Sequence, residues 1–167
     1  MGEVRFGVIG AGNMGSGHIR TLTSGAIRGA RLAAICDINP KALQGRGDIP
    51  TFSSSDELLS SGTVDAVVVA TPHYFHTTIG IAALKAGLHV LVEKPISVHK
   101  ADCERLIAAH RNPKQVFSAM FNMRTHPVFQ QIRRMIEGGE IGTLFRVTWI
   151  ITNWFRTHAY YSSGDWR

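Results

Sequence analysis

A glycine-rich turn follows the first apolar run of the chain and constrains the fold more than any other feature. Residues 4–9 form a β-rich run, the spacing GxGxxG comes directly after it, and residues 13–24 have the apolar periodicity of a helix. In such a unit the glycines permit a tight turn, close approach of a diphosphate and close helix packing, and the helix N-terminus attracts phosphate. A turn built only for packing is the alternative. The predicted cofactor contacts are Gly10, Gly12, Asn13, Met14 and Gly15.

Short apolar runs alternate with helical segments as far as residue 123. The predicted strands are residues 4–9, 31–36, 65–70, 88–92 and 116–121. Four helices are predicted after the first. Asn39 caps a short one with Pro40 at its first position, and the capping-box pair Ser54 and Glu57 begins the next. The third covers residues 74–86 and is closed by Gly87, and the fourth covers residues 97–110 and is capped by Ser97. This alternation predicts a doubly wound α/β fold with parallel strands and right-handed crossovers.

The pattern changes after residue 123, which predicts two parts. Residues 1–123 form a dinucleotide-binding domain, and residues 124–167 form the beginning of a second, open-sheet α+β domain. Pro127 begins a helix that Gly138-Gly139 closes, and residues 144–155 then have the alternating pattern of one long strand with one covered face. No further strand follows in the sequence. We therefore expect this chain to be the N-terminal piece of a longer protein, or a second chain to supply the missing sheet.

Asp37 lies at the end of the second predicted strand, 22 residues after Gly15. A carboxylate in this region accepts hydrogen bonds from the adenosine ribose hydroxyls and repels a 2′-phosphate. The alternative is a helix cap, but Asn39 already fills that role. The cofactor is therefore predicted to be NAD rather than NADP.

Two polar segments follow the next two buried strands. Thr71-Pro72-His73 ends one strand, and Glu93-Lys94-Pro95 ends the next. Ligands of open α/β sheets bind at the carboxyl ends of the strands, so both segments are expected to face the cofactor and its substrate. A lysine in this place can donate a proton to a substrate hydroxyl or share one with it. From position alone, the alternative is a solvated lysine beside an ion-pairing glutamate.

Composition, charge and the absence of further motifs argue against several classes of function. With 44% hydrophobic and 18% charged residues the chain should fold as a globular protein, and no apolar run approaches the ~20 residues of a membrane helix. The first residues show no secretory pattern, so a cytoplasmic location is expected. The net charge of +6 comes with one adjacent basic pair, Arg133-Arg134, and no nucleic-acid motif. His73 and His76 have no third ligand nearby in sequence, so no metal site is predicted.

Taken together, these motifs resemble the glucose-fructose oxidoreductase and inositol dehydrogenase family, often written Gfo/Idh/MocA, over essentially the whole chain. The matching segments are GVIGAGNMG at 7–15, CD at 36–37, ATPHYFH at 70–76, AALKAGLHVLVEKPIS at 82–97, FNMRTHP at 121–127, IGTLFRV at 141–147 and SGDWR at 163–167. The EKP triplet combined with the TP-x-x-x-H segment is far more specific than the glycine motif alone.

The resemblance implies a Rossmann NAD(P)-binding domain followed by a domain on a large open sheet, which often forms the oligomer interface. It implies hydride transfer between nicotinamide and a sugar or polyol, with Lys94 as the catalytic residue beside both. The residues that it places along the cofactor are Thr71, Pro72, His76, Glu93 and Asn122, with Arg124, Trp166 and Arg167 toward the nicotinamide end. The family's usual proton-transferring histidine lies C-terminal to SGDWR, beyond Arg167.

We therefore expect an NAD(P)-dependent oxidoreductase of the sugar or polyol class, inactive in this length of chain. The complete protein is expected to form a homo-oligomer through its C-terminal sheet and to bind neither nucleic acid nor a membrane. One alternative is a non-catalytic nucleotide-binding module that controls a partner through the unpaired edge of residues 144–155. Another is an NAD-dependent glycoside hydrolase that oxidises and re-reduces its sugar.

Overall fold

The computed structural model describes residues 2–152 and 155–163. The chain divides into two compact units, residues 1–120 and residues 121–167. The first unit is a parallel sheet with helices on both faces, and the described part of the second unit contains helices and an extended segment. The role of the second unit as the beginning of a substrate and oligomerisation domain stays a prediction.

The first unit is built on six parallel strands in the order β3-β2-β1-β4-β5-β6. The strands are β1 (Val4–Ile9), β2 (Ala30–Cys36), β3 (Thr51–Phe52), β4 (Ala66–Val69), β5 (His89–Val92) and β6 (Phe117–Ala119). The direction of strand addition reverses between β1 and β4, as it does in a doubly wound Rossmann sheet. The fold class predicted from the sequence is confirmed. The two-residue strand β3 was not predicted because it is too short to show a period.

Helices cover both faces of this sheet. They are α1 (Asn13–Thr23), α2 (Ser55–Ser60), α3 (His76–Lys85) and α4 (Lys100–Ala109), with 3-10 turns at Pro40–Leu43 and His73–Phe75. Successive residues of a strand point to opposite faces. Val67 and Val69 of β4 pack in a cluster that includes residues of α2, α3 and α4, whereas Val68 packs in a cluster that includes residues of α1. Double coverage explains why β4 is apolar without alternation.

One predicted cap in the first half of the unit is formed and one is not. The side chain of Asn39 accepts a hydrogen bond from the Lys41 N–H at 3.1 Å, as its place before a proline predicted. Ser54 precedes α2, but its side chain makes no capping hydrogen bond, so the predicted capping box with Glu57 is wrong. The acidic residues in the first turn of α2 still favour the helix start through the helix dipole.

The predicted cap of the fourth helix is also wrong. Helix α4 begins at Lys100 with His99 at its N-cap. Ser97 does not cap this helix because its hydroxyl lies 2.8 Å from the hydroxyl of Thr77 on α3. Ser97 therefore connects the loop before α4 to helix α3.

The second unit contains three described helices, α5 (Asn122–Thr125), α6 (Pro127–Glu137) and α7 (His158–Ser162). Helix α6 begins at a proline and ends before Gly138-Gly139, as predicted. The ring of Phe129 on α6 stacks on Trp149, with 5.3 Å between ring centroids. In neither unit does a described helix combine the length and hydropathy needed to cross a membrane.

The long strand predicted over residues 144–155 is not formed in its described part. Residues 144–152 and 155 have no regular structure, and residues 153 and 154 lie outside the described residues. Phe145 is 97% exposed and Val147 is 75% exposed. A strand is defined by hydrogen bonds to a neighbouring strand, and no described residue pairs with this segment. The predicted strand is wrong because the alternating apolar pattern is present but no described strand lies beside it.

Candidate functional site

The three glycines of the first turn have three different surroundings. Gly10 has a φ of +92°, and a Cβ there would lie 2.8 Å from backbone atoms of Ala70 and Thr71. A Cβ on Gly15 would overlap the carbonyl oxygen of Gly10, whereas one on Gly12 would meet no atom of the described residues within 4 Å. The fold itself therefore requires Gly10 and Gly15. Gly12 leaves open space beside the backbone, and in Rossmann turns the second glycine lets a diphosphate approach there.

The helix N-terminus beside this turn is open. Helix α1 begins at Asn13, no side chain in the described part of the chain caps it, and its first turn contains no acidic residue. The first N–H groups of a helix have no partner within the helix and carry a partial positive charge. Met14, next to them, is 53% exposed. The turn thus presents hydrogen-bond donors and open space to an anion.

Asp37 connects the end of β2 to the glycine turn. Its Oδ2 accepts a hydrogen bond from the Ala11 N–H at 2.6 Å, and its Oδ1 accepts one from the Asn39 N–H at 2.8 Å. Burial and the negative charges of Asp37 and Glu57 raise the pKa of the preceding Cys36 thiol to about 11, so that thiol stays protonated at neutral pH. The carboxylate is held in place, while each of its oxygens keeps a lone pair for a further donor.

A cleft of about 350 Å³ opens at the ends of β2 and β4. Residues that line it include Gly10, Asp37, Ile38, Thr71, Pro72 and Phe75. Ile38 is 88% exposed, so it offers a free apolar surface. Thr71 Oγ1 is buried and has no hydrogen-bond partner among the described residues. A buried hydroxyl without a partner costs free energy, which a polar group of a bound ligand could recover.

Glu93 is a buried carboxylate at the end of β5, with only 4% of the residue exposed. Its Oε1 lies 2.7 Å from Nε2 of His18 on α1, and its Oε2 accepts the Lys94 N–H at 3.1 Å. Burial alone would raise the pKa of Glu93. The hydrogen bonds from His18 and the Lys94 backbone, with the positive charges of both residues, outweigh burial and lower that pKa. Glu93 is therefore ionised at neutral pH.

Lys94 is the residue after Glu93, and its side chain is exposed to solvent. Burial, together with the positive charges of His76 and Lys94, lowers the pKa of His73 despite the opposing charge of Glu93. The ring of His73 lies edge-on to that of His76, with 5.6 Å between centroids. The charges of His76, Lys94 and Glu93, at the ends of β4 and β5, therefore all influence the pKa of His73.

His76 is completely buried between the two strand ends. Its Nδ1 lies 2.8 Å from the carbonyl oxygen of Pro95, and its Nε2 lies 2.9 Å from the carbonyl oxygen of Thr71. A ring with no exposed surface reaches a ligand in the cleft only through its neighbours. Any effect of His76 on such a ligand therefore passes through Thr71 or Pro95.

Most of the predicted site residues lie close to one edge of the sheet. Those at the carboxyl ends of β1, β2, β4 and β5, or at the helix starts that follow, are Gly10, Gly12, Asn13, Met14, Gly15, Asp37, Thr71, Pro72, His73, His76, Glu93 and Lys94. Asn122 and Arg124 lie in α5 of the second unit. Trp166 and Arg167 lie outside the described residues. The contact of each residue with a cofactor stays a prediction.

His18 is the residue of this site that the sequence did not reveal. It lies three residues after Gly15, on the helix that the glycine turn begins. Its partner Glu93 is 75 residues away in the chain. Its position on that helix is the one sequence signal that could have drawn attention to it, because no local spacing connects the two side chains.

A glycine turn with an open helix N-terminus, a carboxylate after β2 and a cleft where the strand order reverses define a dinucleotide-binding Rossmann unit. Residues 4–121 match the model of the Gfo/Idh/MocA family, described as an oxidoreductase family with an NAD-binding Rossmann fold. The chain belongs to this family. The family and its cofactor class, both predicted from the sequence, are confirmed.

Curated relatives of the chain include several inositol 2-dehydrogenases. Inositol 2-dehydrogenase 1 of Saccharopolyspora erythraea is 37% identical over 149 residues, which cover 83% of this chain and 43% of the relative. The inositol 2-dehydrogenase of Salmonella typhimurium is 31% identical over 145 residues, with the same two coverages. The chain thus spans less than half the length of these relatives.

Solved structures of two kinds of dehydrogenase superpose on the chain. The WlbA dehydrogenase of Bordetella pertussis, in complex with NADH and UDP-GlcNAcA, gives a TM-score of 0.85 at 30% identity and covers 99% of this chain and 48% of its own. The scyllo-inositol dehydrogenase of Lactobacillus casei, with NAD(H) and scyllo-inositol, gives 0.76 at 27% identity and covers 84% and 42%.

Proposed function

We propose that this chain binds NAD(H) and serves hydride transfer between the nicotinamide and a hydroxyl-bearing carbon of a sugar or polyol. The observation that carries the proposal is the open space at Gly12, beside an uncapped helix N-terminus and within reach of a fixed carboxylate. The inositol dehydrogenases among the relatives support the polyol class.

Different residues of the first unit would contact different parts of the cofactor. Backbone amides of residues 12–15, at the open start of α1, would hold the diphosphate. Asp37 would accept hydrogen bonds from the adenosine ribose hydroxyls and disfavour a 2′-phosphate, which selects NAD over NADP. The cleft that contains Ile38 and Phe75 has the apolar lining that suits an adenine base.

Lys94 would act at the reacting end of the cofactor. When bound, NAD⁺ accepts a hydride from the substrate carbon, and NADH returns one to a carbonyl. The exposed side chain of Lys94, next to buried Glu93, would donate a proton from its ammonium form to the carbonyl oxygen during reduction, and its amine form would take the hydroxyl proton during oxidation. We therefore assign Lys94 as the catalytic residue within this chain.

Glycine-to-alanine exchanges in the first turn test cofactor binding directly. Gly12→Ala adds a methyl group to space that no described residue occupies, so the fold should be retained while the diphosphate is obstructed. Gly17→Ala, one turn later on α1, also meets nothing within 4 Å and is the matched control. In calorimetric titrations with NADH, we expect Gly12→Ala to weaken binding about tenfold or more, which corresponds to about 1.4 kcal/mol.

The control should bind NADH within about twofold of the wild-type chain, since a methyl group at half-buried Gly17 adds no contact within 4 Å with a described residue. Equal affinities of the Gly12→Ala and wild-type chains would contradict the proposed diphosphate site. Absence of NADH binding by the wild-type chain near millimolar concentration would overturn the proposal as a whole.

A nucleotide-linked sugar acid is a second candidate substrate. The observation that favours it is the superposition of 99% of this chain on the WlbA dehydrogenase complex with UDP-GlcNAcA, against 84% for the inositol dehydrogenase. Titrations of the NADH-loaded chain with UDP-GlcNAcA and with myo-inositol separate the two substrate classes. Binding of the first compound alone would replace the polyol assignment.

A further inference from the structure

Two imidazole rings anchor the residues on either side of Lys94. Glu93, before it, lies 2.7 Å from Nε2 of His18, and the Pro95 carbonyl, after it, lies 2.8 Å from Nδ1 of His76. The histidines come from different helices, α1 and α3. The backbone of Lys94 is thus fixed from two directions, while its side chain is free in solvent.

The contact between His18 and Glu93 is enclosed by protein. The side chains are 19% and 5% exposed, respectively. Glu93 is ionised and can only accept hydrogen bonds, so the His18 nitrogen that faces it carries a proton. A hydrogen bond to an ionised carboxylate is about twice as strong as a neutral one, and the low dielectric of the interior strengthens it further. Glu93 therefore depends on His18 for its orientation.

The orientation of Glu93 is passed on to the backbone of Lys94. The second carboxylate oxygen, Oε2, accepts the Lys94 N–H at 3.1 Å. The carboxylate consequently bridges the ring of His18 and the peptide group that begins Lys94. Without the proton of His18, the buried carboxylate would turn or become protonated, and the bond to the Lys94 N–H would weaken.

We propose that His18 is a positioning residue, which acts through Glu93 to fix the backbone of Lys94 at the end of β5. His76 completes the anchor on the other side through Pro95. The consequence for turnover rests on the proposed function, in which Lys94 is the catalytic group. The mechanical role of His18 does not depend on that function and can be tested separately.

Two substitutions of His18 distinguish a hydrogen-bonding role from simple packing. His18→Gln retains an N–H donor at about the reach of Nε2. His18→Leu has a similar size and no donor. The readout is the hydrogen-exchange rate of the Lys94 amide, measured by NMR on the full 167-residue chain. The amides of Val90 and Glu93 are internal controls, because they donate to Val116 and Val69 at 2.8 and 2.9 Å within the sheet.

We expect His18→Leu to accelerate exchange at the Lys94 amide about tenfold, as loss of a charged hydrogen bond predicts. The control amides should keep their rates, and His18→Gln should stay within about twofold of the wild-type rate at Lys94. An unchanged Lys94 rate in His18→Leu would overturn the proposal. So would equal acceleration at all three amides, which would indicate general loosening of the sheet.

Titration of the same chains with NADH separates this proposal from the proposed function. The glycine turn is unaltered in both variants, so both should still bind NADH. If none of the chains binds NADH, the proposed function fails, yet a selective change at the Lys94 amide would still establish the anchoring role. Normal binding with no change at Lys94 would refute the anchor alone.

Discussion

Strand β4 and the segment 144–152 are both rich in apolar residues, yet they have opposite structures. All four residues of β4 are buried, and the strand pairs on both sides, with β1 and β5. The segment 144–152 has no regular structure, and many of its apolar side chains are exposed. Backbone hydrogen bonds and a covering layer come from other parts of a fold. An apolar pattern therefore becomes a strand only where neighbours are supplied.

Placing a charge in each region should produce the largest contrast. Val67 has no exposed surface, so we expect Val67→Asp to cost about 4 kcal/mol or more, because it buries an unpaired charge. Val147 is 75% exposed, so Val147→Asp should change stability by about 0.5 kcal/mol or less. Urea unfolding followed by far-UV circular dichroism measures both. Similar losses of stability for the two variants would show that residues 144–152 are packed as tightly as β4.

The second largest effect is expected at the carboxyl ends of the strands, where Asp37 follows β2. Asp37→Asn keeps an oxygen acceptor for one of the two neighbouring amides, those of Ala11 and Asn39, and removes the charge that opposes a 2′-phosphate. We expect the ratio of NADH to NADPH affinity to fall about tenfold. Asp56→Asn, at another wall of the same cleft, is the control and should leave the ratio within about twofold. An unaltered ratio for Asp37→Asn would argue against the ribose contact.

The opposite edge of the same sheet should give the smallest effect. Arg5 and Asp65 form a forked ion pair at 2.8 Å, in which both side chains are more than a third exposed. Hydrogen bonds from the Arg5 side chain and backbone lower the pKa of Asp65 to about 2. After allowance for solvent screening, Asp65→Asn should cost about 1 kcal/mol or less at neutral pH.

The pH dependence of that variant has a definite sign. A carboxylate with a lowered pKa stabilises the folded state above its unfolded pKa of about 4, and this contribution disappears as the pH falls toward 2. The difference in thermal midpoint between wild type and Asp65→Asn should therefore shrink between pH 5 and about pH 2. A difference that stays constant over this interval would assign the loss to packing instead.

The features that were predicted correctly are those determined by residues close together in the sequence. Gly10, Gly12 and Gly15 determine their turn within six residues, and each has a distinct steric role. The run of β4 is apolar on both faces because two helical layers cover it, and that requirement is visible in its own residues. Asn39 caps the next turn through an amide two residues away.

The parts that could not be predicted depend on contacts between distant residues. His18 and Glu93 meet across 75 positions, and no spacing in either segment indicates the contact. Ser97 has a good capping side chain, but its hydroxyl lies against Thr77 on a neighbouring helix instead. The strand predicted over 144–155 required a partner strand, which a local pattern does not supply.

NMR titration of the isotopically labelled chain with NADH tests the central claim most directly, since it reports on each backbone amide separately. The largest shifts should occur at the amides of Ala11, Gly12, Asn13, Met14 and Gly15, with smaller ones at Asp37 and Ile38. Saturating changes confined to other parts of the first unit, with these amides unmoved, would contradict the claim that the glycine turn holds the cofactor's diphosphate.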